Sequence, residues 1–244
     1  MKSIILCEGG TDLTLIQYFM EKVNEWKYHS NRPKLFDLEQ QKRFKKEDKI
    51  LEIGATGGCS EIPKYFSKIL AYQRIGSNFE ERYENIVIIT DNDEIDTFDN
   101  MKATLDKLFN KYSITIKNNI ANDSWINCTC ENGAQDIINF RVLLLIIPFD
   151  EEGALETFLL KAIASNDEYD NEIIEKGNDF VENADSERRY LSKRRYVTKA
   201  KLDVYFSIRT SVEQFTERQN ILKNINWEEY EYIQDSFKKL REIW

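Results

Sequence analysis

Ile86-Val87-Ile88-Ile89-Thr90-Asp91-Asn92-Asp93-Glu94 sets the fold class of this chain. Its first five residues are apolar or β-branched and show no polar alternation, the pattern of a strand covered on both faces. Such strands belong to sheets sandwiched between helices. The acids that follow put charge at the strand's carboxyl end, the edge at which open α/β sheets bind ligands. Side chains alternate along extended backbone, so Asp91 and Asp93 are expected on one side and Asn92 on the other.

Upstream, Ser3-Ile4-Ile5-Leu6-Cys7 reads as a first strand running into Glu8-Gly9-Gly10-Thr11-Asp12. The spacing of Ile16, Phe19, Met20 and Val23 predicts a helix over about residues 12–27, capped by Thr11 or Asp12. Residues 28–49 are polar and lysine-rich and read as a surface excursion. Ile50-Leu51-Glu52-Ile53 is a short second strand leading into the tight turn Gly54-Ala55-Thr56-Gly57-Gly58. Ser60 then caps a helix with Pro63 in its first turn and Ile62, Phe66 and Ile69 on one face.

Downstream, Met101, Leu105, Leu108 and Tyr112 mark the next helix, and an edge strand is expected around Trp125–Cys130. Val142-Leu143-Leu144-Leu145-Ile146-Ile147 is another central strand, stopped by Pro148 and followed by a helix at Leu155, Phe158 and Leu159. The expected fold is therefore α/β, a mostly parallel central sheet flanked by helices over residues 1–165. A helical C-terminal extension over 166–244 is expected to pack on that domain through Leu202, Tyr205, Phe206, Val212, Phe237, Leu240 and Ile243. It opens with an acidic stretch and continues through Arg188, Arg189, Lys193, Arg194, Arg195, Lys199 and Lys201.

Composition narrows the chemistry. The 244 residues contain one histidine, His29, which excludes a zinc site built on several imidazoles. Four cysteines are scattered, and Cys128-Thr-Cys130 lacks the two-residue gap of zinc ribbons and redox motifs, so reduced, mostly buried thiols are expected. Metal chemistry would rest on oxygen ligands, which favours magnesium, manganese or calcium over softer ions. The net charge of −9 argues against gripping nucleic acid through bulk positive potential. It does not exclude a nuclease, because cation-binding carboxylates are neutralised in the working enzyme. No apolar run reaches the roughly 18 residues of a membrane span, and no signal-peptide pattern precedes the first strand, so a cytoplasmic protein is expected.

Three strands end in acids: Glu8 and Asp12, then Asp91 and Asp93, then Asp150, Glu151 and Glu152 with Glu156 one turn into its helix. Carboxylates brought together repel and raise one another's pKa unless a cation compensates. Gly9 and Gly10 would let the backbone approach a phosphate closely.

Glu8-Gly9-x-x-Asp12 after an N-terminal strand, with Asp91-x-Asp93 after a strongly apolar strand, resembles the Toprim domain. That superfamily includes topoisomerases, primases, ribosomal-RNA maturases and the overcoming-lysogenisation-defect nucleases, and the small stand-alone Toprim-like proteins are similar in size. The resemblance covers about residues 1–165, and Lys199-Ala200-Lys201-Leu202-Asp203-Val204-Tyr205 is similar to a lysine-rich segment of the family's tails. It implies a Rossmann-like fold, with Glu8 as general acid/base or metal ligand and Asp91 and Asp93 as a metal-binding pair. It further implies Asp12 and Glu156 as additional metal ligands, and Lys199 and Lys201 as stabilisers of transition-state charge. Two Mg2+ or Mn2+ ions about 4 Å apart could then serve an in-line displacement on DNA or RNA. The middle residue, Asn92, departs from the small residue common in the family.

The function so implied is a metal-dependent nuclease in defence against mobile elements or in nucleic-acid processing. A second reading is a catalytically silent subunit that binds metal or nucleic acid and works through a partner such as an ATPase, or as a homo-oligomer. A third, phosphoryl chemistry at Asp91, is disfavoured because dehalogenase-type enzymes carry their Asp-x-Asp after the first strand, which here ends in glutamate. Gly54, Gly57 and Gly58 either line the cleft or only form a turn. The basic run either contacts phosphates or pairs with the acids before it.

Overall fold

A computed structural model describes residues 1–30, 36–75, 82–210 and 222–243, so Val212 lies outside the described residues. In chain order the first elements are β1 (Lys2–Cys7), α1 (Gly10–Lys22), β2 (Lys27–Ser30), β3 (Gln40–Lys46), β4 (Lys49–Ala55), α2 (Ile62–Ile75) and β5 (Asn85–Asp91). There follow α3 (Thr97–Lys111), β6 (Thr115–Ile116), β7 (Ser124–Glu131), β8 (Ile137–Ile147), α4 (Leu155–Asn166), α5 (Glu168–Ala184), α6 (Arg194–Arg209) and α7 (Glu231–Ser236).

All the strands join one sheet in the order β2-β3-β4-β1-β5-β8-β7-β6. The pairings β4–β1, β1–β5 and β5–β8 are parallel. The four outer pairings are antiparallel, which corrects the mostly parallel sheet expected from sequence to a mixed one. Central strands are covered on both faces and read as unbroken apolar runs, whereas the flanking strands are half polar and suit an antiparallel margin.

Two local expectations change with it. Residues 28–49 are in part a β2–β3 hairpin that extends the sheet rather than a surface excursion. Phe44 is its one fully buried side chain, and Arg43 reaches across to the buried Glu52 at 2.6 Å. Glu52 also accepts from the Tyr83 hydroxyl at 2.5 Å and lies 3.5 Å from the Lys2 ammonium, so its charge is paired inside the protein. The strand around Trp125–Cys130 is internal, because β6 pairs on its outer side and forms the edge.

Alternation along the central strands divides the core. Ile5, Val87, Ile89, Leu143 and Leu145 face α1, α4 and the C-terminal part, while Ile4, Leu6, Ile86, Ile88, Leu144 and Ile146 face α2 and α3. Leu202, Tyr205, Phe206, Trp227, Phe237, Leu240 and Ile243 belong to the first of these clusters, so the helical tail closes one face of the sheet. Phe237 is fully buried with its ring 5.2 Å from Phe19 of α1 and 5.4 Å from Phe158 of α4.

Burial at that three-way contact predicts that Phe237→Ala lowers unfolding free energy by about 3–5 kcal/mol, the usual cost of emptying a buried phenylalanine site. Urea denaturation followed by circular dichroism measures it. A midpoint equal to wild type would mean that the tail does not share the core.

Candidate functional site

Parallel packing of β1, β5 and β8 brings their carboxyl ends to one edge, and the five acids singled out from sequence gather there. Glu8 follows β1 and turns back over β5, where one carboxylate oxygen accepts from the Thr90 hydroxyl at 2.5 Å and from the Asp91 main-chain N–H at 2.9 Å. The turn after β4 holds it from the other side. Gly57 and Gly58 donate main-chain N–H groups to the Glu8 carbonyl at 2.9 and 3.0 Å, and the Cys59 N–H supports its carboxylate. Gly57 and Gly58 have φ of +91° and +136°, values that L side chains rarely adopt, so the turn requires them.

Asp12 lies in the first turn of α1 and accepts the Gly9 N–H at 2.8 Å. This fixes the start of the helix at Gly10 rather than Asp12. A side chain on Gly10 would meet the Gln40 amide of β3 at 3.0 Å, so the glycine serves strand packing here. Asp91 ends β5 and accepts the N–H of Leu155, the first residue of α4, at 2.9 Å. That places a carboxylate on the positive end of a helix dipole. Glu156, one residue on, is buried, while Asp93 stands exposed on the outer rim.

Charge crowding is the main electrostatic feature. Burial pushes Asp12 up to about 7, and the Glu8 and Glu156 carboxylates add to the shift against the opposing Gly9 N–H. Burial holds Asp91 well above the usual carboxylate range, with further repulsion from Asp12, Glu8, Asp93 and Glu156. Glu8 is raised by burial and by Asp93, in spite of its Thr90 and Asp91 donors. The same field pushes up the thiols of Cys7 and Cys59, burial again being the largest cause.

The donors are all carboxylate oxygens, a set suited to hard divalent cations. Among the described residues, however, no group of three or more His, Cys, Asp or Glu is arranged to hold a metal ion. Glu8, Asp12 and Asp91 each turn an oxygen toward a main-chain donor, so an ion would have to draw the side chains inward.

Two residues that sequence reasoning left aside organise the rim. Asn92 donates its side-chain N–H groups to the carbonyls of Pro148 and Glu151 at 3.1 and 2.9 Å, and its own carbonyl accepts from Gly153 at 2.8 Å. It thereby fastens the β8–α4 loop to the tip of β5. Arg194, at the start of α6, donates to the Asp93 carbonyl at 2.6 Å and to the Glu152 carboxylate at 2.9 Å. Of the basic run, it is Arg194 that reaches the acids. Lys201 is paired with Glu182 of α5, and Lys199 is exposed on α6. His29 is exposed on β2, at the far margin of the sheet.

A buried acid whose pKa is raised on folding leaves stability unaffected at low pH, where both states hold the proton. As pH climbs, the unfolded chain ionises first, and the penalty grows from about pH 4 until the folded group ionises, near 7 for Asp12. The protein in chelator is therefore expected to melt at lower temperature at pH 8 than at pH 5. Asp91→Asn, which keeps the oxygen facing Leu155, is expected to raise the pH 8 melting temperature by several degrees. Each tenfold relief of proton affinity is worth about 1.4 kcal/mol, or roughly 3–6 °C at this chain length. The gain should shrink at pH 5, and an Asp91→Asn variant no more stable than wild type at pH 8 would show that the acids do not repel.

Comparison with known proteins came to few likenesses. No curated protein matches the chain. Among solved structures, a hypothetical protein from Pyrococcus horikoshii OT3 is 15% identical and aligns over 98% of this chain and 99% of that one with a TM-score of 0.52, a similarity of fold. A glyoxalase/bleomycin resistance protein/dioxygenase family enzyme from Burkholderia phytofirmans PsJN, 12% identical over 59% of this chain and 97% of that one, has a TM-score of only 0.20 and carries no argument. A family model described as a protein of unknown function (DUF3226) matches residues 2–241, taking in all three acidic strand ends and the helical tail, and the chain belongs to that family.

Proposed function

We propose that this chain carries out divalent-metal-dependent phosphodiester chemistry on nucleic acid, acting as a nuclease in defence or in DNA or RNA processing. The observation that carries the reading is the mutual crowding of Glu8, Asp12, Asp91, Asp93 and Glu156 at one sheet edge, with Asp12 and Asp91 desolvated enough to favour the proton. Burying like charges is costly unless a counter-charge arrives. Glu8, Asp12, Asp91, Asp93 and Glu156 would hold Mg2+ or Mn2+, which when bound supplies charge for an attacking water and a leaving oxygen. The Toprim resemblance of the same residues agrees with this assignment.

The chain's own groups have separable parts in it. Thr90 and the Asp91 N–H orient Glu8. The Leu155 N–H orients Asp91. Asp93, exposed and tied through its carbonyl to Arg194, borders the side from which a strand would approach. Among the described residues no helix is long and apolar enough to cross a membrane. A cytoplasmic location is part of the proposal and rests on the sequence reading.

The second reading, a silent subunit working through a partner ATPase or a second copy of itself, draws support from one observation. As they stand, the acids are not arranged for an ion among the described residues.

Incubation of the purified protein with single-stranded DNA, duplex DNA and structured RNA in Mg2+ and in Mn2+ separates the two. Cleavage is expected in at least one combination, abolished by chelator and reduced at least about 100-fold in folded Glu8→Ala and Asp93→Asn variants. Wild-type protein that binds Mn2+ and cuts none of these substrates would favour the silent subunit.

A further inference from the structure

Next to the acidic edge, helices α4, α5 and α6 enclose an open cleft of about 400 Å3. The volume lies within the range of small-ligand sites. Its charged and polar lining includes Glu151 and Glu152 ahead of α4, Lys161 from α4, Asn178 from α5, and Arg194 and Lys201 from α6. Arg194 joins the cleft to the acids, since the guanidinium that lines it also donates to the Asp93 carbonyl.

Three observations bear on what the cleft takes. First, it presents three cations, whose carboxylate partners are about half exposed: Asp150 and Glu151 for Lys161, Glu152 for Arg194, and Glu182 for Lys201. Ion pairs so exposed contribute little. A phosphate can compete with such partners, because each is weakly held and a phosphate carries more charge and more acceptor oxygens than a carboxylate. Second, Asn178 Oδ1 is buried without a hydrogen-bond partner. A buried acceptor left unsatisfied is costly, so a ligand whose entry turns the Asn178 amide toward the cleft and brings it a donor gains from filling it. Third, Leu160, Ile174 and Val197 give the same cleft an apolar lining. Phosphate charge, a hydrogen-bond donor and an apolar face coincide in a nucleotide.

We propose that this cleft binds one nucleotide unit of single-stranded nucleic acid, with its phosphate against Arg194 and Lys201 and a sugar hydroxyl or base amino group donating to Asn178 Oδ1. The proposal deepens the nuclease reading and rests on it for the path of the strand, but the binding is measurable with no cation present and no bond cut. It also reassigns Lys201 from transition-state charge to strand holding.

Fluorescence anisotropy of fluorescein-labelled dA12 and A12 with the full chain in chelator tests it, the two probes distinguishing DNA from RNA. Arg194→Ala and Lys201→Ala are each expected to weaken binding about tenfold and to lower the salt dependence by about one phosphate contact. Asn178→Ala is expected to weaken it several-fold with the salt dependence unchanged. Lys176→Ala, on the exposed side of α5 beside Glu172, should bind as wild type does. Because Arg194 also braces the Asp93 loop, Lys201→Ala and Asn178→Ala decide the matter. Affinities within twofold of wild type in both, or no binding of either probe by wild type, would overturn the cleft. Cleft-dependent binding without cleavage would remove the nuclease reading and leave the cleft, and Asp93-dependent cleavage without cleft-dependent binding would do the reverse.

Discussion

Like charge held out of water is the constraint around which this molecule is arranged. Glu8, Asp12 and Asp91 leave three different secondary-structure junctions and end up close enough that Glu8 raises the proton affinity of Asp12, and both raise that of Asp91. Parallel packing of β1, β5 and β8 makes the encounter unavoidable, because parallel neighbours end on the same side. The chain offsets part of the cost with oriented dipoles: a threonine hydroxyl, several main-chain N–H groups and the amino end of α4. Dipoles stabilise a carboxylate in part, and a doubly charged cation is the further counter-charge proposed for the cluster.

Around the acids is a layer of residues whose work is to hold loops. Asn92 laces the segment after β8 to the tip of β5, and without that lacing neither Leu155 nor Glu156 would be held beside Asp91. Arg194 makes the corresponding link between α6 and the Asp93 loop. The helical tail is thereby joined to the acidic edge as well as to the core, and the cleft it forms opens beside that edge. The exposed Arg194–Glu152 pair is weak in itself, and a weak pair is what a phosphate can exchange with.

Much of this was legible in the sequence, and the limits are physical. The three central strands announce themselves because burial on both faces demands unbroken apolar runs, and their acidic ends follow directly. The hairpin of β2 and β3 was hidden because a marginal strand needs one covered face, and QQKRFKK shows a single buried Phe44. Burial of Glu52 was invisible because Arg43, Lys2 and Tyr83, which pair with it, come from three other segments. Sequence identified the five acids but not Arg194 over Lys201, since neighbours on one helix differ in what they meet only after α5 and α6 have packed. The parallel centre was read correctly and the antiparallel margins were not, for the same reason of one-sided burial.

Calorimetric titration of Mn2+ into the full chain near pH 7, repeated in two buffers of different ionisation enthalpy, tests the central claim most directly. Carboxylates whose proton affinity is raised by burial and by their neighbours must release any protons they hold when a cation enters. Saturable binding accompanied by proton release, with the release reduced in Asp91→Asn, is the predicted result. Absence of binding, or binding whose heat is the same in both buffers, would contradict it.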